Sequence, residues 1–242
     1  MADEKKPTKP RAAPRKKPAA AGSAAPSRAG KAAKRPAMPD PAPIVPADTA
    51  SANVSPAVRR LSPLDGRYAG GPGATLTPLG FRGRLSLRAG PGALDAVGAA
   101  IGFALPTRPK SSATGDGVAA LWLGPDEWLL LDNRAIPDGD GSPATMSAAL
   151  AGVPGISIVD VSHRNLGIVV EGPAAEAIVA AGCPQDLRLR SFPVGAASRT
   201  VLSKAEIVLW RTGEARFEIE CWRSFADYVW TFLEEAARAP SV

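Results

Sequence analysis

Gly155–Gly182 reads GISIVDVSHRNLGIVVEGPAAEAIVAAG. Two apolar runs, Ile156–Val161 and Leu166–Val170, flank a polar corner, Ser162-His163-Arg164-Asn165. In the second run Leu166, Ile168 and Val170 alternate with Gly167 and Val169, a period of two over β-branched residues that predicts a strand. Gly172-Pro173 breaks that strand and places a proline where a helix can open. AAEAIVAA propagates the helix and Gly182 ends it. The stretch therefore predicts strand, turn, strand, helix, and its corner holds the only histidine of the chain.

A second stretch repeats this order. Ala205–Trp210 and Ala215–Trp222 flank Arg211-Thr212-Gly213-Glu214, and a helix over FADYVWTFLEEAARA follows a capping-box-like Ser224-x-x-Asp227. Phe225, Val229, Phe232, Leu233 and Ala236 form its apolar stripe at helical spacing. Ile156–Gly182 and Ala205–Ala239 thus look like a weak internal repeat of two ββα units. Upstream, Arg84–Arg88 predicts a short strand, and Leu94, Val97 and Ile101 a helix after Gly90-Pro91-Gly92. Val118–Leu123 and Glu127–Leu131 read as a hairpin closed by Gly124-Pro125-Asp126. Asp138–Gly141 reads as a polar loop, and Ser142-Pro143 as the cap and first residue of a short helix to about Ala151. Asp65–Thr77 and Ser111–Gly117 read as loops. Hairpins interleaved with helices predict an α+β fold, a mostly antiparallel sheet covered by helices on one face.

The charge is unevenly spread. Residues 1–55 hold 11 of the 29 Lys and Arg residues and 4 of the 23 Asp and Glu residues, so the excess basicity sits there and the remainder is close to neutral. That segment is Ala/Pro/Lys-rich and lacks aromatic residues, too little apolar surface to offset ordering entropy, and is expected to be disordered. Residues 56–242, with the chain's overall hydrophobic content of 45% behind them, are expected to form a single α+β domain. The tail has no apolar core of a secretory signal, and Asp3 and Glu4 argue against a transit peptide. No run approaches the ~20 apolar residues of a membrane span. Blocks such as Arg15-Lys16-Lys17 could hold nucleic acid electrostatically. Without aromatic residues for stacking or a folded reader, a solubilising extension is the better account.

Two cysteines, Cys183 and Cys221, lie apart with no zinc-ligand spacing. Cys221 shares a strand face with Phe217 and Ile219 and reads as a small apolar core residue. Cys183 follows a helix C-terminus, the wrong end to stabilise a thiolate. A reducing cytoplasm fits this usage.

The search for catalytic machinery returns little. No GxGxxG follows a strand and no GxxxxGK[ST] occurs, so those phosphate cradles are not encoded. Asp160, Ser162 and His163 have the composition of a triad. Strand alternation, however, places Asp160 and Ser162 on one face and His163 on the other unless a turn intervenes. Trp122 and Trp128 bracket the predicted hairpin and read either as partner anchors or as caps on the core.

Trp122–Leu130, WLGPDEWLL, resembles a signature of the gamma subunit of heterotetrameric sarcosine oxidase. Asp160–Arg164, Arg188–Pro193 before a strand containing Thr200, and Trp222–Trp230 resemble the same family, as does Arg60–Leu64, so the likeness spans residues 58–237 in order. The resemblance implies a fold like the N-terminal domain of the folate-binding aminomethyltransferases. It implies membership of a complex that demethylates sarcosine oxidatively to glycine and passes the one-carbon unit to tetrahydrofolate. It further implies alpha, beta and delta partner subunits in the cytoplasm, with FAD, FMN, NAD and tetrahydrofolate on those partners and none bound by this chain. Where aminomethyltransferases of this kind carry an aspartate after a Gly-rich strand motif, Val201–Trp210 reads VLSKAEIVLW and has none. That departure argues against a free-standing folate-dependent enzyme. No catalytic, cofactor-binding or metal residue is assigned, and the candidate subunit-interface residues are Trp122, Asp126, Trp128, His163, Arg164 and Arg223.

Overall fold

The computed structural model describes residues 61–134 and 143–238. The basic tail and its boundary at residue 55, the loop at 138–141 and the Ser142 cap lie outside the described residues. Eleven strands and four helices form two antiparallel sheets among them.

The strands are β1 (Ala69–Gly70), β2 (Thr75–Pro78), β3 (Gly83–Ala89), β4 (Ser112–Gly115), β5 (Val118–Gly124), β6 (Glu127–Asp132), β7 (Ile156–Asp160), β8 (Asn165–Glu171), β9 (Ala197–Leu202), β10 (Ala205–Gly213) and β11 (Arg216–Trp222). The helices are α1 (Leu94–Ile101), α2 (Ala144–Leu150), α3 (Ala175–Ala180) and α4 (Ala226–Arg238). One sheet has the order β1-β2-β8-β11-β10-β9, the other β4-β5-β6-β3-β7.

Strand alternation explains the layering. In the six-stranded sheet Leu166, Ile168 and Val170 of β8, Ile207 and Leu209 of β10, and Phe217, Ile219 and Cys221 of β11 pack with Ile178 and Val179 of α3 and Val229 and Leu233 of α4. In the five-stranded sheet Leu85 and Leu87 of β3 and Trp128 and Leu130 of β6 pack with Val97 and Ile101 of α1 and Met146 and Leu150 of α2. The alternate residues meet between the sheets: Leu121, Leu129 and Leu131 of one face Val208 and Trp210 of the other. Each sheet thus carries helices on one face, as the apolar patterning predicts, and the two bare faces close on each other.

That closure corrects the reading of Ile156–Gly182 as one half of a repeat. β7 pairs with β3, whereas β8 pairs with β2 and β11. The two strands lie in different sheets, and the Ser162–Arg164 corner is the crossing between them. Only β10 and β11 form the hairpin of the expected ββα unit. Three short strands fall in stretches that read as loops: β1 and all but the last residue of β2 in Asp65–Thr77, and β4 in Ser111–Gly117. They are too short to show periodicity. The predicted capping box at α4 does not form. A 3-10 turn over Arg223–Phe225 precedes the helix with no side-chain cap, and the Asp227 carboxylate accepts from Arg67 at 2.6 Å.

Toward β3 and β11 the space between the sheets is ionic. Glu220, fully buried, accepts from Arg84 Nε at 2.6 Å and from Arg84 Nη2 at 3.1 Å, a two-point grip, and from Arg82 at 2.5 Å. Arg82 also donates to Glu218 at 3.0 Å and to Asn133 at 2.9 Å. Gly167, opposite Glu220 in the β8–β11 ladder, makes room for that carboxylate: a Cβ there would lie 2.9 Å from Glu220 Oε1 and 2.7 Å from Leu79. Burial disfavours the charged form of Glu220, but Arg82 and Arg84 outweigh it and hold the carboxyl below the usual glutamate range.

Removing one member of such a buried set leaves the others uncompensated, at about 3–5 kcal/mol. Glu220→Gln is therefore expected to lower unfolding free energy by that order, measured by urea denaturation at neutral pH. A carboxyl depressed in the folded state stabilises above its unfolded-state value of ~4.3 and loses that contribution as pH falls through the folded value. The acid limb of the stability curve should accordingly be shallower in Glu220→Gln. A variant with the midpoint and acid limb of the parent would show that the cluster does not hold the sheets together.

Candidate functional site

The corner between β7 and β8 is built from its own polar side chains. The Ser162 N–H donates to the Asp160 carboxylate at 2.8 Å, and the N–H groups of Arg164 and Asn165 both donate to the Val161 carbonyl at 3.1 Å. The Ser162 hydroxyl is buried and accepts from the Arg84 N–H at 2.9 Å. A turn does intervene between Ser162 and His163, yet no triad forms. Asp160 is engaged with the turn backbone and Ser162 with β3, so neither is arranged as an activated nucleophile and its orienting acid. The serine ties the corner to the strand whose arginines make the buried cluster.

Three of the candidate residues meet around that corner. His163 and Arg223 line a hollow of about 290 Å³ with Leu61 and Phe81. Arg164 lies over the Trp222 ring, 5.8 Å from its centroid, and its Nε donates to Asn165 at 3.2 Å. The Arg223 N–H donates to the Arg164 carbonyl at 2.7 Å, and the Arg223 guanidinium donates to the Leu61 carbonyl at 2.6 Å. Trp222 and Phe225 form an edge-to-face pair at 6.3 Å and remain 43% and 38% exposed. Large apolar groups held open to solvent beside guanidinium groups are the composition of a protein contact.

The hairpin of β5 and β6 supplies the rest. Trp122 sits opposite Trp128 in the ladder. Trp128 is fully buried and its indole N–H donates to the Pro106 carbonyl at 2.7 Å, so it supports the hairpin from within and offers no surface. Trp122 is half-buried, and its indole N–H has no hydrogen-bond partner. Asp126 is exposed at the tip and accepts from Arg88 at 3.2 Å. Its neighbour Glu127 accepts from Arg88 at 3.1 Å and pairs with Arg199 of β9, across the sheets. The hydrogen bond from Arg199 lowers the Glu127 carboxyl against the opposing effect of burial, with help from the charges of Arg199, Arg88 and Arg164.

Hairpin tip and corner border one cleft at the end of the inter-sheet space, lined among others by Leu123, Arg164, Arg199, Glu206 and Trp222. Its volume of about 30 Å³ suits a water molecule; small-molecule sites run to ~300 Å³ or more. A flavin or a folate does not fit there. A larger hollow, about 960 Å³ beside α3 and α4, is lined mainly by Gly and Ala, and its charged side chains Glu234 and Arg238 pair with each other at 2.7 Å. Neither cysteine adds reactivity: both are buried, and burial, with the Glu220 charge, pushes the Cys221 thiol up to about 12.

The sequence-based candidates do not include Trp222, Phe225 or Arg199, which the fold places beside the corner and the hairpin. Trp222 carried a signal, since it follows Cys221 and must face away from the helices. Arg199 carried none, because its place depends on the pairing of β9 with β10. In Val201–Trp210 the turn Ser203-Lys204 joins those strands, with Ser203 at φ 53°.

The Ser162→Ala variant is expected to lose about 1–3 kcal/mol of stability, the cost of an unpartnered buried Arg84 N–H, in thermal or urea unfolding. Parent-like stability would instead show that the hydroxyl does not hold the corner to β3.

Comparison with known proteins adds the following. Residues 86–239 match the sarcosine oxidase, gamma subunit family. The sarcosine oxidase subunit gamma of Corynebacterium sp. (strain U-96) is 36% identical over 196 residues, 78% of this chain and 92% of that one. The structure superposes with a TM-score of 0.62 and 36% identity on a chain of the heterotetrameric sarcosine oxidase from Corynebacterium sp. U-96 in complex with pyrrole 2-carboxylate, covering 72% of this chain and 90% of that chain. An aminomethyltransferase T of the glycine cleavage system from Bartonella henselae shares the fold at 17% identity and a TM-score of 0.51, over 65% of this chain and 44% of that chain.

Proposed function

Because this chain belongs to the sarcosine oxidase gamma subunit family, we propose that it works as the gamma subunit of a heterotetrameric sarcosine oxidase and contributes binding surface rather than chemistry. The observation that carries this reading is the match to the Corynebacterium gamma subunit along nearly that whole chain, in sequence and in fold. In this reading the partners are the alpha, beta and delta subunits, and they hold FAD, FMN, NAD and tetrahydrofolate. The complex removes the methyl group of sarcosine oxidatively, leaving glycine and delivering the one-carbon unit to tetrahydrofolate, in the cytoplasm.

The geometry favours a structural part in that reaction. Ser162 and Asp160, the residues closest in type to a catalytic pair, are spent on the corner. The inter-sheet cleft is too small for a cofactor. What remains at the surface is Arg164, Arg223, Trp222 and Phe225 around the corner, with Asp126 and the half-buried Trp122 on the adjoining hairpin. Aromatic and arginine side chains of this kind supply most of the energy at protein interfaces. No helix of the described residues is long and apolar enough to cross a membrane.

The purified chain alone is therefore expected to show no flavin absorbance, to oxidise no sarcosine and to take up no tetrahydrofolate in a calorimetric titration. Turnover should appear only with the larger subunits. A coloured chain that oxidises sarcosine by itself would overturn the proposal.

A further inference from the structure

Resting on the gamma-subunit reading, we propose that the corner patch receives an acidic segment of another subunit, with carboxylates on Arg164 and Arg223 and an apolar side chain between them. The hollow of Leu61, Phe81, His163 and Arg223 would take that side chain. The two guanidinium groups carry the argument. Ion pairs among the described residues engage Arg67, Arg82, Arg84, Arg88, Arg134, Arg188, Arg199, Arg211, Arg216 and Arg238 with carboxylates but not Arg108, Arg164, Arg190 or Arg223, and of these four Arg164 and Arg223 are the pair joined at the corner. Glu127, close enough to feel the Arg164 charge, is already shared by Arg199 and Arg88.

These two cations are also held in place. The Arg164 guanidinium lies between Trp222 and Asn165, and the Arg223 guanidinium donates to the Leu61 carbonyl while its backbone N–H is anchored on the Arg164 carbonyl. Side chains ordered before a partner arrives lose little entropy on binding. A guanidinium presents a planar fork matched to a carboxylate, and the bond is stronger where the partner excludes water. Beside them Leu61 is 57% exposed, and the Trp222–Phe225 pair stands open to solvent. A nucleic acid would also meet cations and rings. The hollow's lining includes Leu61 and Phe81, however, which an aliphatic or aromatic side chain would cover, and only two arginines serve the patch.

The test uses the full chain and the complex purified with its larger subunits. The dissociation constant is measured by interferometry at rising sodium chloride for the parent and for Arg164→Gln/Arg223→Gln, with thermal midpoints recorded in parallel. The expected result is a 10–100-fold weaker complex, a flatter salt dependence and an unchanged midpoint. Parent-like affinity and salt dependence would overturn the proposal. A parent chain that does not assemble at all would sink the gamma-subunit reading instead. A second arm is independent of variant folding: Arg223→Lys in the complex, treated with a carbodiimide, should link residue 223 to an aspartate or glutamate of another subunit. Linkage confined to other lysines, or to nucleic acid retained on the complex, would contradict it.

Discussion

The Glu220 carboxylate, buried between the sheets and gripped by Arg82 and Arg84, sets how the two sheets face each other. β11 alternates Phe217, Ile219 and Cys221 toward the helices with Glu218 and Glu220 toward the second sheet. Two glutamates on an inner sheet face forbid an apolar filling there, so the opposite strand must answer with cations, and β3 does so with Arg84 and, just before it, Arg82. Such a cluster is no more stabilising than well-packed apolar side chains of equal volume. Its effect lies in selection: a slip of either strand by one residue would leave a buried charge without its counter-charge, so register and sheet facing are fixed together. The apolar half of the interlayer, around Leu121, Leu129 and Trp210, then fills the rest.

That constraint reaches the surface through one serine. Arg84 supplies the guanidinium that grips Glu220 and the N–H that Ser162 accepts. The chain therefore crosses from one sheet to the other at a place set by the buried ions, and the side chains just beyond the crossing inherit that position. Arg164 and His163 leave the corner outward, and β11 ends beside them at Trp222 and Arg223, whose N–H closes on the Arg164 carbonyl. A patch of arginine and aromatic groups results, with the hollow of His163 and Arg223 beside it.

The sequence made some of this readable and hid the rest for physical reasons. The β5–β6 hairpin is plain because Gly124-Pro125-Asp126 punctuates two apolar runs, and α4 because its stripe runs more than three turns. The two-sheet arrangement was not readable from Ile156–Gly182. Alternation says which residues share a face, but it does not say which sheet a strand joins, and a corner of four polar residues serves a hairpin or a crossover equally. β1, β2 and β4 have two to four residues each, below the length at which period two stands out. Of the candidate interface, Trp128 could not be told from Trp122 without the register, since both flank one turn and only Trp128 has the Pro106 carbonyl to accept from its indole N–H. The buried charges at Glu218 and Glu220 were visible as interruptions in an apolar strand, but their partners lie about 136 residues earlier in the chain, beyond any local signal.

The most direct measurement is hydrogen–deuterium exchange on this chain, free and within the assembled complex. The account predicts that β3 and β11 are protected in both states, because the ionic layer is formed before assembly. New protection on assembly should appear at residues 161–165 and 222–225, with the adjoining hairpin tip at 123–127. Unchanged exchange at the corner, with new protection confined to the groove of α3 and α4, would contradict it.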